Sequence, residues 1–472
     1  MNLEFIRPFI KYLPEVKIPR RHISFKEKLV WTFSVLVLFF VMGVIYPTGV
    51  SRADIPEAFQ IYQIIFASNM GSLISVGIGP IVTSSIILQL LVGSKMIDLD
   101  LGKPDNQALF QGTQKILTVL IALFEGAGVV IGFQLGGGFL GAEWGMFHPL
   151  VLFIIFQVAM GSILLMFLDE VVSKWGIGSG IGLFIAGGVS QQIMAASLSF
   201  LTTETNYVGR IPYTIVSFLN GSVSFFGLFS SDYLFPMIAV VIVFLVVVLG
   251  ESMRLEIPLS YGGVRGVGGR YPLKFFYVSN IPVILAAALL ANVRMWANIV
   301  GVDIDNPPTN PDFIQEFVYQ VGHNITLGNL YGLLSPDNLG MFLEPNIISH
   351  LFFYTLSFVG LCVIFGKFWV ETTGLSAENV ADQIQGGGMQ IPGFRRDKRV
   401  IERVLNRYIP HITIISSVAV GLLALVADLM GAFGSGTGIL LTVGILHSLY
   451  EQVQKEQMSE MHPAFRKFMG KS

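Results

Sequence analysis

Residues 71–93 read GSLISVGIGPIVTSSIILQLLVG, an apolar stretch that is long enough to cross a bilayer and has no ionisable side chain. Gly77, Gly79 and Pro80 lie near its middle. Inside a helix a proline removes a backbone donor, and each glycine costs roughly 1 kcal/mol relative to alanine. A membrane tolerates so weak a helix only where protein or water satisfies the backbone. The stretch therefore predicts a helix beside a pathway or moving part, with a kinked packing helix as the alternative.

The composition is that of a membrane protein. The 472 residues are 53% hydrophobic and 13% charged, with a mean hydropathy of +0.68. Soluble domains contain about 25% charged residues, so the chain is predicted to be polytopic. A single cysteine, Cys362, excludes an intramolecular disulfide framework and a cysteine metal cluster. The basic, proline-broken first 25 residues do not resemble a cleavable signal peptide, so we expect the first membrane helix to direct insertion.

Apolar runs of spanning length occur at about ten places, and basic residues alternate between the gaps that separate them. The runs are residues 28–46, 73–93, 111–133, 148–168, 179–200, 233–250, 277–298, 349–370, 410–428 and 432–450. Lys and Arg cluster before span one and after spans six and eight, whereas segment 299–348 has none. Because cytoplasmic loops carry the excess of Lys and Arg, both termini are predicted to lie in the cytoplasm.

Two kinds of segment do not fit a simple bundle of spans. Residues 59–70 (FQIYQIIFASNM) are moderately apolar but too short to cross, so they predict an interfacial helix, with a re-entrant segment as the alternative. The cytoplasmic loops 254–274 and 385–409 are long and basic; the first predicts a hairpin and the second a glycine turn followed by a charged amphipathic helix. Clustered arginine there indicates docking to a large anionic partner, such as RNA, an acidic protein surface or lipid phosphates.

Motifs for bond-making chemistry are missing from the sequence. It contains no P-loop, no paired intramembrane carboxylates and no His/Cys cluster at metal spacing, so we expect neither an enzyme nor a cofactor or metal. Glu125 and Asp428 are the only serious candidates for an ion-coupling site, and structural roles or places near the outer surface fit them better. Ten spans also divide into two halves of five, which must then be inverted. That arithmetic alone favours an inverted-repeat secondary transporter of a small solute.

Several motifs, in order along nearly the whole chain, resemble the SecY family, the large pore-forming (alpha) subunit of the Sec protein-conducting channel. Residues 71–93 resemble its second transmembrane helix. Further similar motifs are ALFQGTQK (108–115), LDEVVSKWGIGSGIGLFIA (168–186), YPLKFFYVSNIPVILAAAL (271–289), FWVETTG (368–374), IPGFRRDKRVIERVLNRYIP (391–410) and GSGTGILLTVGI (434–445). LLVGSKMIDLDL and the ALFQGTQK form resemble the archaeal and eukaryotic branch of the family.

The resemblance implies an all-α membrane protein with two inverted five-helix halves that form a clamshell around an hourglass pore. Residues 1–212 would be the N-terminal half, with spans one to five and a plug at 59–70. Residues 213–472 would be the C-terminal half, with spans six to ten, basic cytoplasmic loops at 251–276 and 371–409, and a cytoplasmic tail. Such a protein passes unfolded secretory polypeptides across the cell membrane and releases transmembrane segments sideways into lipid. The secondary transporter stays as the alternative.

The resemblance also implies four groups of site residues. The pore ring would consist of Ile78, Val82, Ile181, Ile185, Ile284 and Leu441. The plug would contain Ile61, Tyr62, Ile64, Ile65, Phe66 and Met70, which replaces the interfacial helix expected from the residues alone. The lateral gate between spans two and seven would contain Thr83, Gln89, Asn280 and Asn292, with Gln89 near Asn280. The ribosome-docking positions would be Arg265, Arg270, Arg395 and Arg396.

The implied partners are other macromolecules. They are two small membrane subunits of the SecE/gamma and beta/SecG types, a ribosome or cytosolic translocation motor, signal sequences, nascent polypeptides and membrane lipid. The spacing of the ring residues agrees with the role, because Ile78 and Val82, like Ile181 and Ile185, are four apart and share one helix face.

Overall fold

Ten long helices dominate the computed structural model. It describes residues 7–10, 13–50, 69, 71–93, 96–97, 99, 104–132, 134–140, 145, 147–200, 202, 208–261, 268–278, 280–299, 301–302, 304, 312–386, 389–390 and 398–461. The long helices are α1 (Phe25–Val44), α2 (Gly79–Gly93), α3 (Pro104–Gly132), α4 (Pro149–Trp175), α5 (Gly180–Leu198), α6 (Phe235–Ser252), α7 (Ile281–Ile299), α8 (Pro345–Thr372), α9 (Lys398–Leu429) and α10 (Gly436–Met461). Each overlaps one predicted span, which confirms the all-α membrane architecture.

Length and hydropathy distinguish these helices from one another. Within the described residues, 7 helices are long and apolar enough to cross a membrane, and α2 and residues 281–294 of α7 form shorter apolar helices. Shorter elements connect them: the helices Arg7–Ile10, Gly137–Leu140, Arg210–Leu219, Phe313–Ile325 and Ala377–Gly386, and the 3₁₀ turns Gly227–Phe229, Gly328–Leu330 and Leu339–Leu343. The two short apolar helices both belong to the proposed lateral gate.

The second predicted span is only partly helical. Residues 71–78 form turns, with Gly77 at φ +58°, and α2 begins at Gly79. Pro80 therefore lies in the first turn, where its missing amide hydrogen costs no helical hydrogen bond. The expected helix across 73–93 is thus wrong at its N-terminal end.

Protein surrounds the non-helical part. The Leu73 amide donates to the Ile45 carbonyl at 2.8 Å. A Cβ on Gly161 of α4 would lie 1.9 Å from the Leu73 carbonyl oxygen, so α4 approaches this backbone as closely as glycine allows. Irregular backbone at membrane depth is stable only in such surroundings.

Two groups of helix contacts join the first five long helices to the last five. On one side α2 and α3 contact α7, and α2 also contacts α8. On the other side α5 packs against α10. One apolar core runs through both groups and includes Ile78, Phe184, Val283 and Leu440. Residues from both halves therefore share a single interior.

The two basic loops predicted to be cytoplasmic combine into one small folded unit. Strands β1 (Arg254–Tyr261) and β2 (Gly268–Lys274) pair antiparallel, with Arg254 opposite Lys274, which confirms the predicted hairpin. Strand β3 (Met389–Gln390) adds to the other edge of β1. Leu273, Val380 and Leu405 share a core that also packs the helix Ala377–Gly386 against the start of α9. The predicted amphipathic helix is the first part of α9, which continues through Pro410 into span nine.

Residues 327–334, part of the segment 299–348 that matched no motif, pack against the turn between α9 and α10. Leu327, Leu330 and Leu333 are buried in the main apolar core. The Tyr331 hydroxyl donates to the Ala432 carbonyl at 2.9 Å, and the Gly332 amide donates to the Asp428 carbonyl at 3.1 Å.

Candidate functional site

The six residues predicted to form a ring all lie in the main apolar cluster. Ile78 and Ile185 are 0% exposed, Leu441 is 1% exposed and Val82 is 5% exposed. Ile181 and Ile284 are half-buried and pack against the same cluster. They come from α2 and the turn before it, α5, α7 and α10, so four parts of the chain contribute to this cluster.

A cavity of about 360 Å³ has three of these residues, Val82, Ile181 and Ile284, in its wall. Ile78, Ile185 and Leu441 do not line it and are almost fully buried. The rest of the wall is contributed chiefly by α2, the start of α5, the start of α7 and residues 444–452 of α10. The predicted topology places these parts of the helices towards the cytoplasm, and we refer to the cavity as the vestibule.

A buried hydrogen-bond chain joins α7 to α2 and α3. Asn292 Nδ2 donates to Thr83 Oγ1 at 2.9 Å, and Thr83 Oγ1 donates to Glu125 Oε1 at 2.8 Å. Glu125 is 2% exposed. The sequence did not identify Glu125 as a gate residue, although a lone carboxylate inside a span is a signal of function. Its position here is structural, as the sequence favoured.

Gln89 and Asn280 line the same cavity, in agreement with their expected proximity, but each donates its hydrogen bond to another residue. Gln89 Nε2 donates to Ser85 Oγ on its own helix at 2.9 Å, and Asn280 Nδ2 donates to the Leu440 carbonyl of α10 at 3.2 Å. Between these two described residues no hydrogen bond forms, although both line the vestibule. The side-chain hydrogen bond between α2 and α7 joins Thr83, which precedes Gln89 along α2, and Asn292, which follows Asn280 along the chain.

Two aspartates hold the starts of α5 and α10 in the same way. Asp169 at the end of α4 accepts from the Ile181 amide at 2.9 Å. Asp428 at the end of α9 accepts from the Gly436 amide at 2.6 Å and from Thr437 Oγ1 at 3.2 Å. A carboxylate that accepts from free amides in the first turn stabilises a helix start. Asp428 therefore has a structural role too, and the shared GSG motif at 178–180 and 434–436 was the available signal.

Comparison with known proteins shows which family this chain belongs to. A family model described as SecY matches residues 72–450. The chain belongs to the SecY family. It is 46% identical to the protein translocase subunit SecY of Methanocaldococcus jannaschii over 98% of this chain and 99% of that protein. It is 44% identical to the SecY subunit of Methanococcus vannielii over 99% of each chain.

Solved structures of the SecY type have the same fold. A structure described as a protein-conducting channel matches with a TM-score of 0.81 and 43% identity, covering 97% of this chain and 99% of that one. Sec61 in the canine ribosome-channel complex from the endoplasmic reticulum matches with a TM-score of 0.78 and 43% identity, over the same shares. These findings confirm the resemblance, the fold class and a protein-translocase channel function. They do not support the secondary transporter.

Some of the residues assigned from the SecY resemblance lie outside the described part of the chain. They are the plug residues Ile61, Tyr62, Ile64, Ile65, Phe66 and Met70 and the docking residues Arg265, Arg395 and Arg396. Arg270 lies in β2, opposite Pro258 of β1. Arg403 and Arg407, one turn apart on the first part of α9, are exposed beside the hairpin unit of β1, β2 and β3.

Proposed function

We propose that unfolded polypeptides cross this channel through the ring of Ile78, Val82, Ile181, Ile185, Ile284 and Leu441. The observation that carries the proposal is that these six aliphatic side chains, from four parts of the chain, belong to or pack against one apolar cluster, and that three of them, Val82, Ile181 and Ile284, line the vestibule. A narrow apolar constriction dewets and blocks ions. Because branched aliphatic side chains provide no fixed polar ligands, the same ring can close around an extended chain of any sequence.

Transmembrane segments leave sideways between α2 and α7, with Thr83, Gln89, Asn280 and Asn292 as gate residues. The support is that one side-chain hydrogen bond, from Asn292 to Thr83, crosses this seam. Interhelical hydrogen bonds in membranes average about 0.6 kcal/mol. A leucine-rich segment gains more than this when it enters lipid, since each buried leucine contributes roughly 1.5–3 kcal/mol. The free energy that keeps the gate closed is therefore small, and a hydrophobic segment can open the gate.

The halves 1–212 and 213–472 move as the two sides of a clamshell, with α5 against α10 as the persistent contact and α2 against α7 as the opening one. The matched aspartate caps at α5 and α10 support an inverted repeat, because spans four and five correspond to spans nine and ten. Residues 59–70, with Ile61, Tyr62, Ile64, Ile65, Phe66 and Met70, act as the plug on the outer side.

The cytoplasmic hairpin unit docks a ribosome through Arg265, Arg270, Arg395 and Arg396. Exposed Arg403 and Arg407 add to the basic surface, and a similar chain is part of a canine ribosome-channel complex. A cytosolic motor is the alternative driving partner. Small membrane subunits of the SecE/gamma and beta/SecG types complete the channel in the cell membrane, with both termini cytoplasmic. The chain works as a passive conduit and not as an enzyme.

Site-specific crosslinking tests the pore. A photo-crosslinker is placed at Ile78, Ile185 or Leu441, one at a time, and a ribosome-stalled secretory chain is presented to the reconstituted channel. We expect adducts at all three positions, and their loss when the signal sequence is inactivated. A crosslinker at Gln452, at the vestibule mouth, is the control. Adducts at Gln452 without adducts at the ring would refute the ring as the path.

A further inference from the structure

Three buried amide oxygens at the seam between α2 and α7 accept no hydrogen bond. They are Gln89 Oε1, Asn280 Oδ1 and Asn292 Oδ1. Within the described residues, they are the only buried side-chain amide oxygens without a partner. A buried acceptor without a partner is unfavourable, because it has lost its hydrogen bond to water. In the closed seam, these three oxygens are therefore still able to accept hydrogen bonds.

One of the two N–H groups of each side-chain amide already donates a hydrogen bond. Asn280 donates to the Leu440 carbonyl, and a Cβ on Gly444 of α10 would lie 1.7 Å from Asn280 Nδ2. Gly444 thus lets the amide approach α10. Gln89 donates to Ser85. Their oxygens accept no hydrogen bond, so a ligand that satisfies these oxygens must bring hydrogen-bond donors.

Gln89 and Asn280 differ from Asn292 in position. Both line the vestibule next to Val82 and Ile284 of the ring. Gln89 lies near the cytoplasmic end of α2, and Asn280 immediately precedes α7. A helix has four backbone amides in its first turn without intrahelical partners. A helical segment that enters with its N-terminus towards the cytoplasm brings this turn to the level of Gln89 and Asn280.

We propose that the amide oxygens of Gln89 and Asn280 accept hydrogen bonds from the free first-turn amides of an entering helical segment. This inference rests on the proposed lateral gate. The closed seam leaves both oxygens unpaired, whereas an occupied seam pairs them. A segment can shift the gate equilibrium only by binding the open arrangement better, and these hydrogen bonds supply such a difference. Through Gln89 and Asn280 the channel thus selects a segment by the free amides at the start of its helix, in addition to its hydrophobicity.

The test compares two ribosome-stalled chains that have the same apolar core. One carries alanine throughout the start of its segment. The other carries an Asp-x-x-Glu capping box, which satisfies first-turn amides by itself. The reconstituted channel has a photo-crosslinker at Leu285, in the vestibule wall, and adduct yield is measured for the wild type, Gln89→Leu and Asn280→Leu. Gln89→Glu keeps acceptor oxygens, to which the Ser85 hydroxyl can donate, and Gln191→Leu removes an exposed amide on α5 outside the vestibule.

We expect each leucine variant to lower the yield for the uncapped chain about two- to tenfold, the range for one hydrogen bond. The capped chain should change little, Gln89→Glu should retain most of the yield, and Gln191→Leu should change the yield of neither chain. An equal loss for both chains, or no loss for either, would overturn the proposal. Adducts at Ile185 in the wild type monitor the pore separately: their absence would refute the proposed function, whereas their presence with equal losses would refute only this role.

Discussion

Thr83→Val tests the side-chain hydrogen bond by which Asn292 of α7 contacts α2. Valine keeps the volume of threonine but removes the hydroxyl, which receives the Asn292 amide at 2.9 Å and donates to Glu125 at 2.8 Å. Asn292 and Glu125, both buried, then lose these partners in the closed state. The bond is worth about 0.6 kcal/mol on average and about 1.7 at most. The gate equilibrium should therefore shift roughly threefold to twentyfold towards the open state.

The measurement is translocation of secretory chains whose signal cores are progressively shortened. A gate that opens more easily accepts a less hydrophobic core, so Thr83→Val and Asn292→Leu should each lower the required hydrophobicity. The double variant should gain less than the sum, because both substitutions remove the same bond. Thr118→Val is the matched control, since Thr118 bonds Ser84 at 2.7 Å between α2 and α3 within one half. Unchanged signal dependence in both single variants, at normal protein levels, would refute the assigned gate bond.

Three further outcomes are expected. Charge reversal by Arg395→Glu should weaken ribosome binding in a salt-dependent manner, measured by co-sedimentation; equal affinity at low and moderate salt would contradict the docking role. Gly161→Ala should destabilise the protein by about 1–3 kcal/mol in thermal unfolding, because its Cβ would overlap the Leu73 carbonyl. Hydrogen bonds from Ser231, chiefly from its hydroxyl and also from its backbone amide, hold the pKa of the Asp337 carboxyl below its usual value of 3.8. Ser231→Ala should therefore lower the melting temperature slightly at pH 7 and progressively less as the pH falls below 3.8.

Much of the fold was predictable from local pattern. The positions of the ten long helices follow from apolar runs of spanning length, because every backbone group in lipid must be satisfied within a helix or inside the protein. The hairpin of β1 and β2 was also visible, in the glycines and alternating apolar residues between Arg254 and Lys274. The ring residues were predicted through the family motifs, since an isoleucine in a span is otherwise indistinguishable from ordinary core packing.

The hydrogen bonds of the gate were not predictable in the same way. Helical spacing indicates which face a residue occupies, but the partner of a buried amide depends on how deep each helix sits against its neighbours. The partners of Gln89 and Asn280, which are Ser85 and Leu440, were therefore not predicted, and Glu125 was not assigned to the gate. The turn at 71–78 was likewise missed as a break in the helix, since its stability comes from α4 and the Ile45 carbonyl.

The sequence by itself determined the membrane class, the places of the helices and, through its motifs, the family. Hydrophobicity and charge distribution act segment by segment, so they can be read without knowing which segments touch. Only the tertiary structure decided that Asn292, Thr83 and Glu125 form one chain of hydrogen bonds, and that two distant aspartates cap α5 and α10. These contacts join residues far apart along the chain, and their geometry depends on the packing depth and rotation of whole helices.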